Sequence, residues 1–189
     1  MSARKPSGPQ TIYQLKITLK AIRPPIWRRV QVGSNTTLGQ LHEVVQTVMG
    51  WDDYHLHQFS IAGIDYGQPD LEDDFEVSNE NRVKLSQVIP GEKFKFLYTY
   101  DFGDSWDHEI LVEKVLPAAA DTRYPICLTG KRACPPEDCG GPWGYEELLE
   151  ALQDPEHPEH EEKLEWMGEG FDPNQVDVEG INQQLAALS

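Results

Sequence analysis

Between Ile12 and Lys20 the chain reads IYQLKITLK, with Tyr13, Leu15, Ile17 and Leu19 alternating against mostly polar neighbours. That period of two predicts a half-buried β-strand. A turn at RPPI leads into IWRRVQVG, where Ile26, Val30 and Val32 share a face, so the two runs predict an antiparallel hairpin. Arg28 falls on the same apolar face and needs a partner or a route to solvent.

The period then changes. In TTLGQLHEVVQTVMGW, Leu38, Leu41, Val45 and Val48 recur at helical intervals, Thr37 and Gln40 have the spacing of a capping box, and Gly50 suits the stop. HLHQFSIAGIDYG returns to alternation, with His55, His57, Phe59 and Ile61 on one face of a third strand. QPDLEDDFEVSNEN is acidic and poor in apolar residues, which predicts a solvated loop. KFKFLYTYD then sets Phe94, Phe96, Tyr98 and Tyr100 on one face; DHEILVEKVLP sets His108, Ile110 and Val112 on one face and Leu111 and Val115 on the other. Both read as strands.

The order strand, strand, helix, strand, strand, strand predicts an α+β core over residues 11–117, a β-grasp-like mixed sheet backed by a helix. Residues 1–10, MSARKPSGPQ, read as a disordered tail. Residues 118–189 turn to Pro, Gly, Cys and acidic side chains around three short helical runs, YEELLEALQDP, HPEHEEKLEWMG and DVEGINQQLAAL. None can bury its narrow apolar side alone, so the segment is expected to pack on the sheet as part of one compact unit.

Charge narrows the function. Thirty-two acidic against 16 basic side chains leave a net charge of -16, which counts against direct binding to a nucleic-acid backbone. Cations, basic partners and small ligands remain open. No apolar run approaches the roughly 20 residues of a membrane span. The start lacks the apolar stretch of a secretion signal and the three cysteines cannot all pair, so a reducing, cytoplasmic location is expected.

Several strings taken together resemble one group: IRPPIWRRVQV, LGQLHEVVQTVMGW, HLHQF, YTYDFGDSWDHEI, YPICLTGKRACPPEDCGGPWGYEELLEAL, LEWMG and FDP. The chain looks like a member of the Ri-plasmid third-open-reading-frame-like family from Tyr13 to Leu185, some of whose relatives carry a transposon-passenger "TnpR" label. The resemblance implies a protein associated with plasmid or mobile DNA, and no particular activity. A recombinase reading does not fit this acidic chain, which shows no helix-turn-helix pattern in its tail.

Three constellations carry candidate chemistry. In YDFGDSWDHE, Asp101, Asp104, Asp107 and His108 surround a glycine-containing turn and offer oxygen and imidazole to a cation, although Asp and Gly also simply build turns. In CPPEDC, Cys134 and Cys139 have the spacing of half a zinc site; the rest would come from Cys127, His57, His108 or Asp138, and buried thiols are the other reading. His157 and His160 lie three apart at a helix start, where a solvated acidic helix end also accounts for them. GGPWG lacks the ending of a phosphate loop, so nucleotide binding is not expected.

The sequence thus predicts a cleft between the Asp101–His108 turn and the CPPEDCGGPWG loop, Cys134–Gly144, with His55 or His57 nearby. Asp101, Asp104, His108, Glu137 and Asp138 would bind a cation or a basic group of a protein or small-molecule partner, between walls of Trp106 and Trp143. The alternative is a metal-dependent hydrolase using an Asp/His/Cys site in the same cleft, in which Asp and His residues hold a metal that activates water and Glu137 acts as base; His57, His108, Cys134 and Cys139 are the candidate zinc ligands.

Overall fold

The structure, a computed structural model, describes residues 10–69, 77–168 and 170–188. The expected tail, apart from Gln10, and residues 70–76 of the acidic stretch lie outside them. Thr11–Leu19 (β1) and Trp27–Gly33 (β2) form the hairpin that the alternation predicts, with Leu15 opposite Val30. Leu38–Met49 (α1) begins at a complete capping box of Thr37 and Gln40 and ends at Gly50, whose φ of 80° suits glycine.

Then follow His57–Ile61 (β3), Ile64–Gly67 (β4), Ser78–Asn79 (β5), the short helix Leu85–Val88 (α2), Lys95–Tyr100 (β6), Trp106–Pro117 (β7) and Ile126–Lys131 (β8). Gly141–Gln153 (α3), His160–Met167 (α4) and Val178–Leu185 (α5) complete the chain. The eight strands form one sheet in the order β5-β4-β3-β6-β7-β1-β2-β8, antiparallel except between β4 and β5. The fold is α+β.

One face of the sheet is apolar. Phe59, Tyr98, His108 and Leu19 form one row across four strands, and Phe96, Ile110, Ile17 and Arg28 form the next. Leu38, Leu41, Val45 and Val48 of α1 join this core, as do Tyr145, Leu148 and Leu185 from the C-terminal part. The opposite face carries Lys16, Lys95, Glu109 and Glu113 and stays solvated, as antiparallel sheets allow.

Buried Arg28 finds its partners in backbone carbonyls: Nε donates to Val48 at 2.9 Å, and Nη1 to Trp27 at 3.0 Å and Lys131 at 3.2 Å. Val48 lies in the last turn of α1, where carbonyls lack helical partners and the helix dipole favours a cation. The guanidinium therefore pins α1 to β2 and β8.

Three expectations need correction. The run read as a third strand turns at Ala62 and Gly63 and divides into β3 and β4. The stretch read as a solvated loop contains Glu80, which is 1% exposed, because its carboxylate is held by a buried histidine. Beyond Pro117 a strand was not expected, yet β8 adds to the sheet beside β2, and the side chain of Asn182 on α5 exchanges two hydrogen bonds with the backbone of Cys127, at 2.8 and 2.9 Å. No helix among the described residues is long and apolar enough to cross a membrane.

Candidate functional site

The hairpin turn after β6 is built around Asp101, whose φ of 55° is left-handed and whose Oδ1 accepts from the amides of Gly103 (2.9 Å) and Asp104 (3.3 Å). An aspartate tolerates that backbone because its side chain can bond locally. The loop before α3 meets this turn directly. Gly140 N donates to Asp104 Oδ2 at 3.2 Å, and a Cβ on Gly141 would lie 2.5 Å from the Asp104 carbonyl oxygen. The Tyr100 hydroxyl donates to the Glu137 carboxylate and accepts from the amide of Tyr54.

His55 stands between the two walls. Its Nε2 lies 3.6 Å from Asp101 Oδ2 and 2.9 Å from Asp138 Oδ1. Four carboxylates, Asp101, Asp104, Glu137 and Asp138, thus gather at one end of the sheet. Among the described residues, no Lys or Arg forms an ion pair with any of them. Beside them opens a cleft of about 580 Å³ lined in part by Tyr54, His55, Leu56, His57 and Phe102, of which Tyr54, Leu56 and Phe102 are exposed apolar side chains. Turn and loop thus meet beside this cleft, which His55 and Phe102 line and the four carboxylates do not.

Some of its expected members lie elsewhere. Trp106 and His108 are fully buried in the core, so Trp106 cannot form a wall nor His108 reach a ligand in the cleft; Trp143 is 80% exposed. His57 and His108 do not meet, because the Tyr98 ring stands between them with centroids at 5.9 and 5.4 Å. Burial lowers the His108 pKa to about 4 and raises Cys134 to about 11 and Cys139 to about 12, where Asp104 adds to the effect of burial. Both thiols are protonated at neutral pH. Cys134 packs on Met49 Sδ.

Among the described residues, two groups of three His, Cys, Asp or Glu bring ligand atoms within 4.8 Å of one another, His42/Asp53/His57 and His55/Asp101/Asp138. The expected set of His57, His108, Cys134 and Cys139 is neither of them. His157 and His160 also part company, His157 Nδ1 accepting from Glu159 N and His160 Nδ1 bonding to the Ala151 carbonyl.

The first group belongs to a buried network that the sequence reading did not single out. The rings of His42 and His57 lie face to face, 3.4 Å apart and 6° from parallel. His57 Nε2 bonds to Glu80 at 2.8 Å; His42 Nε2 bonds to Asp53 at 3.0 Å and its Nδ1 to the Tyr98 hydroxyl at 2.8 Å. A carboxylate only accepts, so His42 Nε2 carries the proton. Burial, reinforced by His57, lowers the His42 pKa to about 3 and keeps the ring neutral. The signal was present in sequence as His42 and Gln46, two polar residues four apart on the apolar side of α1, where Gln46 donates to Tyr98.

Comparison with known proteins adds identity without activity. A protein of Sinorhizobium fredii strain NGR234, described as "uncharacterized protein y4hQ", is 40% identical over 181 residues, covering 95% of this chain and 93% of its own. The crystal structure of a protein of unknown function, MM3350 from Methanosarcina mazei Go1, superposes with a TM-score of 0.80 at 45% identity, covering 90% of this chain and 97% of that one. Residues 11–180 match the profile of the plasmid pRiA4b ORF-3-like proteins, and the chain belongs to that family.

Proposed function

We propose that this protein is a non-enzymatic binding domain that takes a positively charged ligand where the Asp101 turn meets the loop before α3. The observation that carries this reading is the approach of Asp101 and Asp138 to His55, with Asp104 and Glu137 held at the same seam by Gly140 and Tyr100, and no Lys or Arg among the described residues paired to any of the four. Unneutralised carboxylates drawn together beside a cleft give its edge a negative field. Exposed Tyr54 and Phe102 beside them offer ring faces to an ammonium or guanidinium group.

A cytoplasmic location and an association with plasmid or mobile DNA belong to the same reading, the latter supported by the family's description. So does a β-grasp-like description of residues 11–117, supported by the succession of hairpin, helix and return strands. The candidate zinc ligands His57, His108, Cys134 and Cys139 have no corresponding convergence among the described residues to support them.

Titration with a short arginine-rich peptide and its glutamate counterpart tests the reading. The basic peptide is expected to bind more weakly as salt rises. Glu137→Gln with Asp138→Asn should weaken it about tenfold, while Glu161→Gln with Glu162→Gln, equal in charge removed, should not. Equal binding by both double variants would sink the proposal.

A further inference from the structure

The reading above leaves the cationic ligand unnamed, and the geometry at His55 narrows it. His55 Nε2 is shut off from solvent and has no hydrogen-bond partner, although carboxylate oxygens lie 2.9 and 3.6 Å away. At such a distance a ring N–H would normally donate; here neither oxygen lies where the proton would point. An imidazole nitrogen and two carboxylate oxygens therefore lie within 4.8 Å of one another without the nitrogen bonding to either oxygen.

That is the relation among ligands of one metal ion. Arms of about 2.1 Å in a tetrahedron set neighbouring ligand atoms about 3.4 Å apart, and the two observed spacings bracket that value. Asp101 Oδ1 is occupied by the Gly103 and Asp104 amides, which leaves Oδ2 to face His55. Backbone donors that fix a ligating carboxylate in this way are a usual outer layer of metal centres. Asp138 comes from the other wall, so an ion here would join turn and loop.

We infer that His55 Nε2, Asp101 Oδ2 and Asp138 Oδ1 bind a divalent first-row transition-metal ion, a reading that rests on the cleft taking a cation and names its class. One imidazole with two carboxylates suits zinc, cobalt or manganese better than magnesium or calcium, which take oxygen throughout. Three protein ligands leave the remaining position to water or to an incoming group. The His42/Asp53/His57 group presents no comparable lone pair, since its rings are stacked and both Nε2 atoms are already bonded.

The full chain, without an affinity tag and stripped with chelator, would be titrated calorimetrically with zinc and spectroscopically with cobalt, with magnesium as comparison. One ion per chain is expected, with the intense visible absorption of low-coordinate cobalt and much weaker magnesium binding. His55→Gln and Asp138→Asn, chosen because neither side chain is in the core, should each weaken zinc about tenfold or more while keeping the parent's melting temperature. His160→Gln should change nothing. Absence of saturable zinc binding, or binding unaltered by both substitutions, overturns the inference. If zinc fails while the arginine-rich peptide still binds in an Asp138-dependent way, the metal falls and the cationic cleft stands; if both fail, both fall.

Discussion

At the scale of single residues, the molecule divides its histidines by what surrounds them. His42 and His108 are neutral and buried, with pKa values lowered to about 3 and about 4 by loss of water. The unfolded chain titrates these rings near 6.5, so between those values it binds protons the folded chain refuses. Stability therefore rises with pH through this window and falls on acidification below about pH 6.5, by up to about 1.4 kcal/mol per histidine per pH unit. The urea midpoint is expected to drop between pH 7 and pH 5. His108→Phe should remove about half of the histidine share of that slope, and an unchanged slope would contradict neutral burial.

The same residues show what alternation can and cannot tell. His57 and His108 were legible as members of the apolar face, because a period of two fixes faces without knowledge of strand order. Whether they touch depends on which strand lies between, and β6 lies between them. His55 precedes β3, where the chain has passed through a left-handed Asp53 (φ 58°), so it leaves the face that alternation assigns it and turns toward Asp101 and Asp138. No local pattern announces such a turn.

At the scale of elements, the longer helices and the strands with a clear alternation read correctly, and β4 and β8 did not. α1 showed its cap, its apolar stripe and its glycine stop, and its bounds follow from all three. β4 and β8 have four and six residues, and β8 buries only Cys127 fully, too few positions to display a period. β8 is held by β2 and Asn182, far along the chain, and β4 by the tight turn that folds it back on β3, rather than by their own composition.

The seam between loop and turn is the element on which the site depends. Gly141 has a φ of 69° and sits against the Asp104 carbonyl. Gly141→Ala adds a Cβ where the backbone is already close and the conformation disfavours it, for about 1–3 kcal/mol. The chain should still fold, because the sheet is elsewhere. Zinc and peptide binding should both weaken, since Asp138 would be pushed from Asp101; melting curves and titrations on the same preparation separate the two effects.

At the scale of the whole molecule, the C-terminal third belongs to the core energetically. Tyr145, Leu148 and Leu185 are fully or almost fully buried, and each such side chain adds about 1.5–3 kcal/mol. A chain ending at Pro117 would lose them together with β8, against a total stability of about 5–15 kcal/mol. It is expected to melt without a cooperative transition, whereas a sharp transition near that of the full chain would make residues 118–189 an independent appendage.

The clasp between Asn182 and Cys127 has a consequence for life in a crowded solution. A sheet of eight strands has two borders, each a row of peptide groups ready to template another chain. On one border β5 is only two residues long. On the other, the Asn182 amide occupies the outward N–H and C=O of Cys127 as the peptide unit of a ninth strand would. Replacing Asn182 would hand that row to whatever strand arrives next, so the first symptom of its loss should be self-association into β-rich aggregates rather than failure to bind a ligand.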